Sequence, residues 1–351
     1  MRKAIYQDIY EDIRKKIDKK FYTDGKMPPE RLLAEEYGVN RITLRKALKQ
    51  LYNEGLIIRL GAKGTFITES KLETSPLPAR KIAYFQINKE NSQLGPYHGT
   101  IMTAIQQELK KNHSTMFFYT IGSAAEVQQY LTAGSLYKGL DGIVIAGGVT
   151  PTILKQVKRF QLPIVMIGRL THPDPVENTV DQVMDDPVSY TSKAVGVLLK
   201  QGCKRIAFVD SPAYQWSIMA QQTYMRLLED REIEYQEELV IRCSHSDMRE
   251  AYNLSDTILK LNVDGIFVRN DIVARGLYDG LAAKGIIGGR DIKWVSFGHK
   301  GDNVEHLNLI RLIVDPKAMG LAALEILSKR LQNPRLEVMK EIVPLRVQNQ
   351  K

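Results

Sequence analysis

The sequence predicts a small α-helical head that carries a β-hairpin, followed by a larger α/β body built on parallel sheets. Three observations predict it. Residues 27–67 hold two helical patterns joined by a glycine turn, then two short β runs around a second glycine turn. From residue 82 onward, short apolar runs alternate strictly with helical segments, a pattern that gives parallel sheets covered on both faces. The charge is also divided: residues 1–80 hold 17 Lys and Arg against 11 Asp and Glu, and the remainder holds 32 against 29. Most of the net charge of +9 therefore sits on the first quarter of the chain, as in a head that meets a polyanion joined to a nearly neutral body.

In chain order, Ile5, Ile9, Ile13 and Ile17 recur at steps of four, with Tyr6, Tyr10 and Phe21 beside them. This predicts an amphipathic first helix over residues 4–22. Its Arg14, Lys15, Lys16, Lys19 and Lys20 either approach phosphates or form a solvated face. Pro28 and Pro29 suit the start of a short helix over residues 30–37, because a first turn needs no amide donors. Gly38 breaks that helix, and Asn40 is a good N-cap for the next. Leu44, Ala47, Leu48 and Leu51 then repeat at i, i+3, i+4, i+7, a buried stripe. The opposite face carries Arg41, Thr43, Arg45, Lys46 and Lys49. Gly55 stops the helix. Residues 56–59 and 65–67 flank Gly61-Ala62-Lys63-Gly64, a turn with a basic tip.

A helix with a cationic face near its N-terminus suits the major groove of DNA. Arginine reaches phosphates or the O6/N7 edge of guanine, and threonine reaches phosphate or base. The tight turn and the basic hairpin tip weigh against an ordinary solvated helix. The stretch resembles the winged helix-turn-helix of the GntR regulator family. That family's pattern is met by Met27-Pro28, Glu30-Arg31, Gly38-Val39, Arg41, Thr43, Arg45, Ala47-Leu48, Leu51, Glu54-Gly55 and Gly64-Thr65-Phe66-Ile67. The resemblance implies that Arg31, Arg41, Thr43 and Arg45 contact DNA and that Lys63 and Gly64 lie in the wing; Lys46 shares the cationic face. Pro29 and Asn40 stand where the family has serine, and the wing is one residue longer.

Residues 68–81 are polar, with two prolines and no periodicity, and read as a linker. The expected organisation is a DNA-binding domain at 1–68, a linker at 69–81 and an effector domain at 82–351. In the body, strands are expected near 82–87, 115–120, 142–146, 163–167, 178–180, 205–209, 239–241, 265–268 and 293–297. Helices are expected near 97–111, 124–133, 151–160, 188–201, 217–230, 248–260, 272–284 and 316–331. That is large for one sheet and comfortable for two lobes.

Six short motifs carry a second resemblance: Pro96-Tyr97-His98, the runs 140–145, 163–169, 198–207 and 263–271, and 295–298. Over roughly residues 81–332 the body resembles the sugar-sensing domain of LacI/GalR regulators and the periplasmic-binding-protein-like fold. A GntR-like head on a LacI-like body is similar to the bacterial arabinose-repressor type.

Ligands of open parallel sheets bind beyond the carboxyl ends of the strands. Arg169 follows one such end, and its guanidinium fork suits two sugar hydroxyls. Asp271 follows another, with Asn270 beside it, and its carboxylate accepts from vicinal hydroxyls. Tyr97 and His98 follow the first strand and suit stacking on a pyranose face. The resemblance gives Arg169, Asp271 and the Tyr97/His98 pair these same roles. Asp186 stands at a helix start, as a ligand contact or as an N-cap. His299 is expected in the loop after the strand at 295–297, near an acidic position of the family. Trp216 is either an aromatic wall or a packed surface residue. Gly168, Ser192 and Ala220 replace charged residues of the family, which implies a less charged pocket and a neutral ligand.

Cys203 and Cys243 are far apart and lack metal-ligand spacing, and His172 and His245 are isolated. No phosphate-binding glycine loop, Walker loop or nucleophile elbow occurs. No catalytic residue, metal or cofactor is therefore expected. No apolar run reaches membrane-spanning length and the first residues lack an apolar signal core, so the expected location is the cytoplasm. The expected function is a DNA-binding transcription regulator, a repressor of a carbohydrate-utilisation operon. It would bind operator DNA as a homodimer and be released by a neutral monosaccharide. The alternative is a DNA-binding head fused to a doubly wound enzyme body.

Overall fold

A computed structural model describes residues 5–18, 21–22, 26–53, 56–59, 65–67, 79–88, 95–133, 139–211, 214–243, 247–300, 307 and 309–348. It divides the chain into two compact units, Met1–Leu77 and Pro78–Lys351.

The head consists of α1 (Ile5–Asp18), α2 (Glu30–Glu36), α3 (Arg41–Asn53), β1 (Ile57–Arg59) and β2 (Thr65–Ile67). Its core joins Ile9, Ile13 and Ile17 of α1 to Leu33 of α2, to Leu44, Leu48 and Leu51 of α3, and to Ile57. The fourfold spacing of the isoleucines puts them on one face of α1, which is why α1 packs on α3. The first helix is described over Ile5–Asp18; Phe21 and Tyr22, within the expected span, are not helical, and Phe21 is exposed. Gly38 takes the left-handed conformation, φ +62°, that lets the chain reverse between α2 and α3. Asn40 Oδ1 accepts the Thr43 amide at 2.8 Å and caps α3. β1 and β2 pair antiparallel, with Ile57 opposite Ile67.

The first lobe of the body starts with β3 (Lys81–Ile87), α4 (Pro96–Lys111), β4 (Thr115–Ile121), α5 (Ala124–Ala133), β5 (Gly142–Gly147), α6 (Pro151–Val157), β6 (Ile164–Ile167) and β7 (Asp181–Met184). The second holds α7 (Pro187–Lys200), β8 (Ile206–Asp210), α8 (Gln215–Glu229), β9 (Val240–Arg242), α9 (Met248–Lys260), β10 (Gly265–Val268), α10 (Asp271–Ala282), β11 (Lys293–His299) and β12 (Ile310–Val314). α11 (Pro316–Gln332) and β13 (Lys340–Ile342) return to the first lobe, and β14 (Arg346–Gln348) ends in the second. The sheet orders are β13-β7-β6-β5-β3-β4 and β14-β12-β11-β10-β8-β9. Among the described residues of these two sheets, only the β12–β14 pair is antiparallel. The chain thus passes between lobes after β7, after β12 and after β13.

The structure differs from expectation in places. β12, β13 and β14 were not anticipated. Residues 178–180 do not begin a strand: Pro175–Thr179 is a 3₁₀ turn and β7 starts at Asp181. Asp181 is buried in β7 because Arg330 of α11 grips it at 2.7 and 2.9 Å, an ion pair between residues far apart in sequence. β11 runs on to His299, so that residue closes a strand instead of lying in a loop.

Candidate functional site

Two sites emerge, one in each unit. In the head, α3 has two contrasting faces. Leu44, Ala47, Leu48 and Leu51 are wholly buried, whereas Arg41, Ile42, Arg45, Lys46 and Lys49 are exposed and Thr43 is half-buried. Arg45 Nε donates to Glu30 Oε2 at 2.8 Å, and Arg31 donates to Glu35 at 2.7 Å. Pairs this exposed contribute little to stability, so a phosphate can displace the carboxylate at small cost. Lys63 and Gly64 lie outside the described residues. Of the basic residues of α1, Lys16 serves the fold: its Nζ donates to Glu36 at 2.8 Å and to the Tyr37 hydroxyl at 3.0 Å. Glu36 and then Tyr37 hold its pKa well above the ordinary lysine value, so it joins α1 to α2.

In the body, the carboxyl ends of the two sheets bring together several expected residues. Tyr97, at the first turn of α4, lies with its ring centroid 4.0 Å from that of His299 at the end of β11 and 4.9 Å from that of His98. Its hydroxyl reaches Met319 Sδ at 2.9 Å. This aromatic row continues from His299 to Phe297, and Phe297 stacks on Tyr190 of α7 at 4.1 Å. The Arg269 guanidinium lies over the Tyr190 ring at 5.0 Å. Arg169 also acts electrostatically on Tyr190, and its buried Nε makes no hydrogen bond within the described residues. His98 is pulled down to a pKa of about 4, first by burial and then by the nearby His299.

Other expected residues have different work. Asp186 caps α7, accepting the Val188 amide at 3.0 Å. Asn270 caps α10, accepting from Ile272 and Val273. Asp271 was expected to receive sugar hydroxyls. Instead its carboxylate is almost wholly buried, ion-paired to the equally buried Arg311 of β12 and pressed against the Gly298 backbone. Asp271 is therefore tied to β12 through Arg311. Trp216 lies in the first turn of α8, stacked on Tyr214 at 4.8 Å.

The sequence reading missed a buried charged cluster. Arg269 Nη1 donates to Asp210 Oδ2 at 2.7 Å and to Ser217 Oγ at 3.3 Å, and Ser217 bonds Ser211 at 2.9 Å. Burial opposes the charge of Arg269, but Tyr190 and Asp210 outweigh it and hold the guanidinium firmly protonated. Ser217 lies on α8, three residues before the Ala220 that stands where the family has arginine; Arg269 brings a guanidinium to that helix from a neighbouring strand. Asp210 and Arg269 sit at the ends of apolar runs, so the strand-end rule that chose Arg169 and Asp271 could have found them. The lobes also meet directly: the Gln215 amide of α8 donates to Thr171 O at 3.0 Å, and Gln215 Nε2 to Glu177 Oε2 at 3.3 Å.

A helix-turn-helix with a basic outer face, ahead of two α/β lobes whose strand ends gather charged and aromatic side chains, defines the class of ligand-binding regulators. Residues 87–300 match the periplasmic binding proteins and sugar binding domain of the LacI family, and the chain belongs to that family. Residues 5–67 match the bacterial regulatory proteins of the gntR family. The HTH-type transcriptional repressor NagR of Bacillus subtilis is 41% identical over 70 residues, which are 20% of this chain and 29% of the repressor. The chain spans about a third of the length of the curated relatives it matches. Among solved structures, the transcription regulator CcpA of Lactococcus lactis superposes with a TM-score of 0.66 at 19% identity, over 77% of this chain and 98% of CcpA. A LacI family regulator from Enterococcus faecium with bound ribose gives 0.63 at 21% identity, over 77% and 97%. The family matched over the body is one of binding proteins and sugar binding domains, which weighs against the alternative of an enzyme body. Among the described residues, no helix is long and apolar enough to cross a membrane.

Proposed function

We propose that the chain is a cytoplasmic, homodimeric transcription regulator that binds operator DNA through its head and a monosaccharide between the lobes of its body. In this reading it represses a carbohydrate-utilisation operon and is released by the sugar, as its resemblance to the arabinose-repressor type implies. The observation that carries the proposal is the outer face of α3, where Arg41, Arg45, Lys46 and Lys49 are exposed opposite a fully buried stripe. One helix-turn-helix reads a half-site, which calls for two copies. Arg31, Thr43, Lys63 and Gly64 complete the proposed DNA contacts. In the cleft, Arg169, Tyr97, His98 and His299 face the effector together with Arg269 and Asp210. Asp186, Asn270 and Asp271 hold the backbone that positions them. An arginine beside an aspartate suits vicinal hydroxyls, and the aromatic row suits a sugar face.

Lobe closure couples the sites. An effector that favours one lobe arrangement shifts DNA affinity by about 5- to 150-fold, reciprocally. The test is DNA binding by the full chain, followed by fluorescence anisotropy on duplexes from the region upstream of its own gene, with and without a panel of monosaccharides. Arg45→Ala should weaken binding and reduce its salt slope by about 0.9, as loss of one phosphate contact requires. Absence of binding to any duplex at low salt would sink the proposal.

A further inference from the structure

Ile42 is the most exposed large apolar side chain among the described residues, at 70%. It stands in an unusual place. Residues 42, 45, 46 and 49 are spaced i, i+3, i+4, i+7 and share one face of α3, so Ile42 begins a stripe continued by Arg45, Lys46 and Lys49. The core face of the same helix is filled by Leu44, Ala47, Leu48 and Leu51, all fully buried. Ile42 therefore does not contribute to the head's core. A β-branched residue also does little for helix formation at an exposed position, where a lysine, glutamine or alanine would serve better.

The following rests on the reading of α3 as a DNA-recognition helix. In such helices the N-terminal residues meet base edges, whereas basic residues also serve phosphates. An isoleucine has nothing to offer a phosphate, a guanine edge or an adenine edge. The one apolar group that a base pair displays in the major groove is the C5 methyl of thymine. We infer that Ile42 packs on a thymine methyl and so specifies an A·T pair, beside the positions reached by its neighbours Arg41 and Arg45. The half-site is then read by a mixed code: guanidinium groups for phosphate or guanine, and one aliphatic contact for thymine.

The test isolates that methyl group. The full-length chain is used to select a duplex from a randomised library, and each thymine of the selected duplex is replaced in turn by deoxyuridine, which lacks only the methyl. Wild type should lose about four-fold in affinity at one thymine per half-site, the value of one buried methyl group. Ile42→Ala should bind the thymine and deoxyuridine duplexes alike, at about the affinity of wild type for the deoxyuridine duplex. Ile42 is exposed, so this variant keeps its core, and the deoxyuridine series on wild type stands without it. If no thymine position responds to deoxyuridine, or if Ile42→Ala keeps the response, the assignment is overturned while DNA recognition stands. If the wild-type chain enriches no duplex, the DNA-binding reading falls, and this assignment falls with it.

Discussion

Asp210 and Arg269 stand at the ends of adjacent strands of the second lobe, carboxylate and guanidinium 2.7 Å apart and both sealed from solvent. Such a pair is a poor source of stability, because desolvation consumes most of the attraction, and its half-removal is costly. Arg269→Met leaves the Asp210 carboxylate buried, with Arg242 at 3.9 Å as its remaining cation. It should destabilise the body by about 3–5 kcal/mol in urea unfolding. The double variant Asp210→Leu with Arg269→Met should recover most of that stability and yet fail to bind any sugar that shifts the wild-type melting temperature. Sugar binding by the double variant would remove the pair from the effector site.

The relationship between Asp271 and Arg311 alters the outcome expected of a simple ligand-site mutation. Were Asp271 a direct sugar contact, Asp271→Ala would give a stable protein that ignores its effector. The structure instead predicts a protein that is first of all less stable. Arg311 would remain buried without its carboxylate, beside neutral acceptors that include the His299 carbonyl and Gln348 Oε1, each at 3.4 Å. A loss of about 3 kcal/mol is expected. Gly298→Ala should be as damaging, since an added Cβ would lie 1.8 Å from the Asp271 carboxylate. Thermal unfolding of both variants checks this, and an Asp271→Ala protein of wild-type stability would restore the direct role.

These two pairs show how far the sequence could be read. Local periodicity announces α3, and the limits of α9 fall at the anticipated residues 248 and 260, because one turn of helix already reveals its buried face. β13 and β14 could not be read that way. Each has three residues, all exposed, and they are strands only because β7 and β12 offer them partners. The site has the same limit. Strand ends marked where charged residues would gather, but not which way each would turn. Asp271 meets an arginine forty residues later, and Arg269, two positions before it, meets an aspartate fifty-nine residues earlier. Partners so remote leave no local pattern.

The contact between lobes at Gln215 can be cut at one atom. Gln215 is the first residue of α8, where an amide has no partner within its own helix and proline is tolerated. Tyr214 before it is extended, with ψ of 163°, as a residue preceding proline must be. Gln215→Pro therefore removes the amide that donates to Thr171 and leaves the helix intact. Gln215→Ala removes only the side-chain bond to Glu177. Relative to Gln215→Ala, the proline variant should bind effector about five-fold more weakly, as the loss of one hydrogen bond in the closed form requires. Calorimetric titration with a sugar found by thermal-shift screening measures it, and equal affinities would show that this bond does not report closure.

His98 gives the body a pH dependence with a definite sign. Its pKa in the fold is about 4, lowered by burial and then by His299, against about 6.5 in an unfolded chain. Between these values the unfolded chain takes up a proton that the folded one refuses. The contribution to stability is therefore complete above pH 6.5 and is lost as the pH falls towards 4, about 3 kcal/mol in all. His98→Gln cannot charge, so its unfolding free energy should vary less over that interval, and wild type should lose about 3 kcal/mol relative to it as the pH falls from about 7 to about 4. Urea unfolding at a series of pH values measures the slope, and parallel slopes for the two proteins would mean that His98 titrates normally in the fold. Because His98 abuts Tyr97, whose ring lies against His299 of the other lobe, the same protonation is expected to loosen the contact between the lobes before either lobe unfolds.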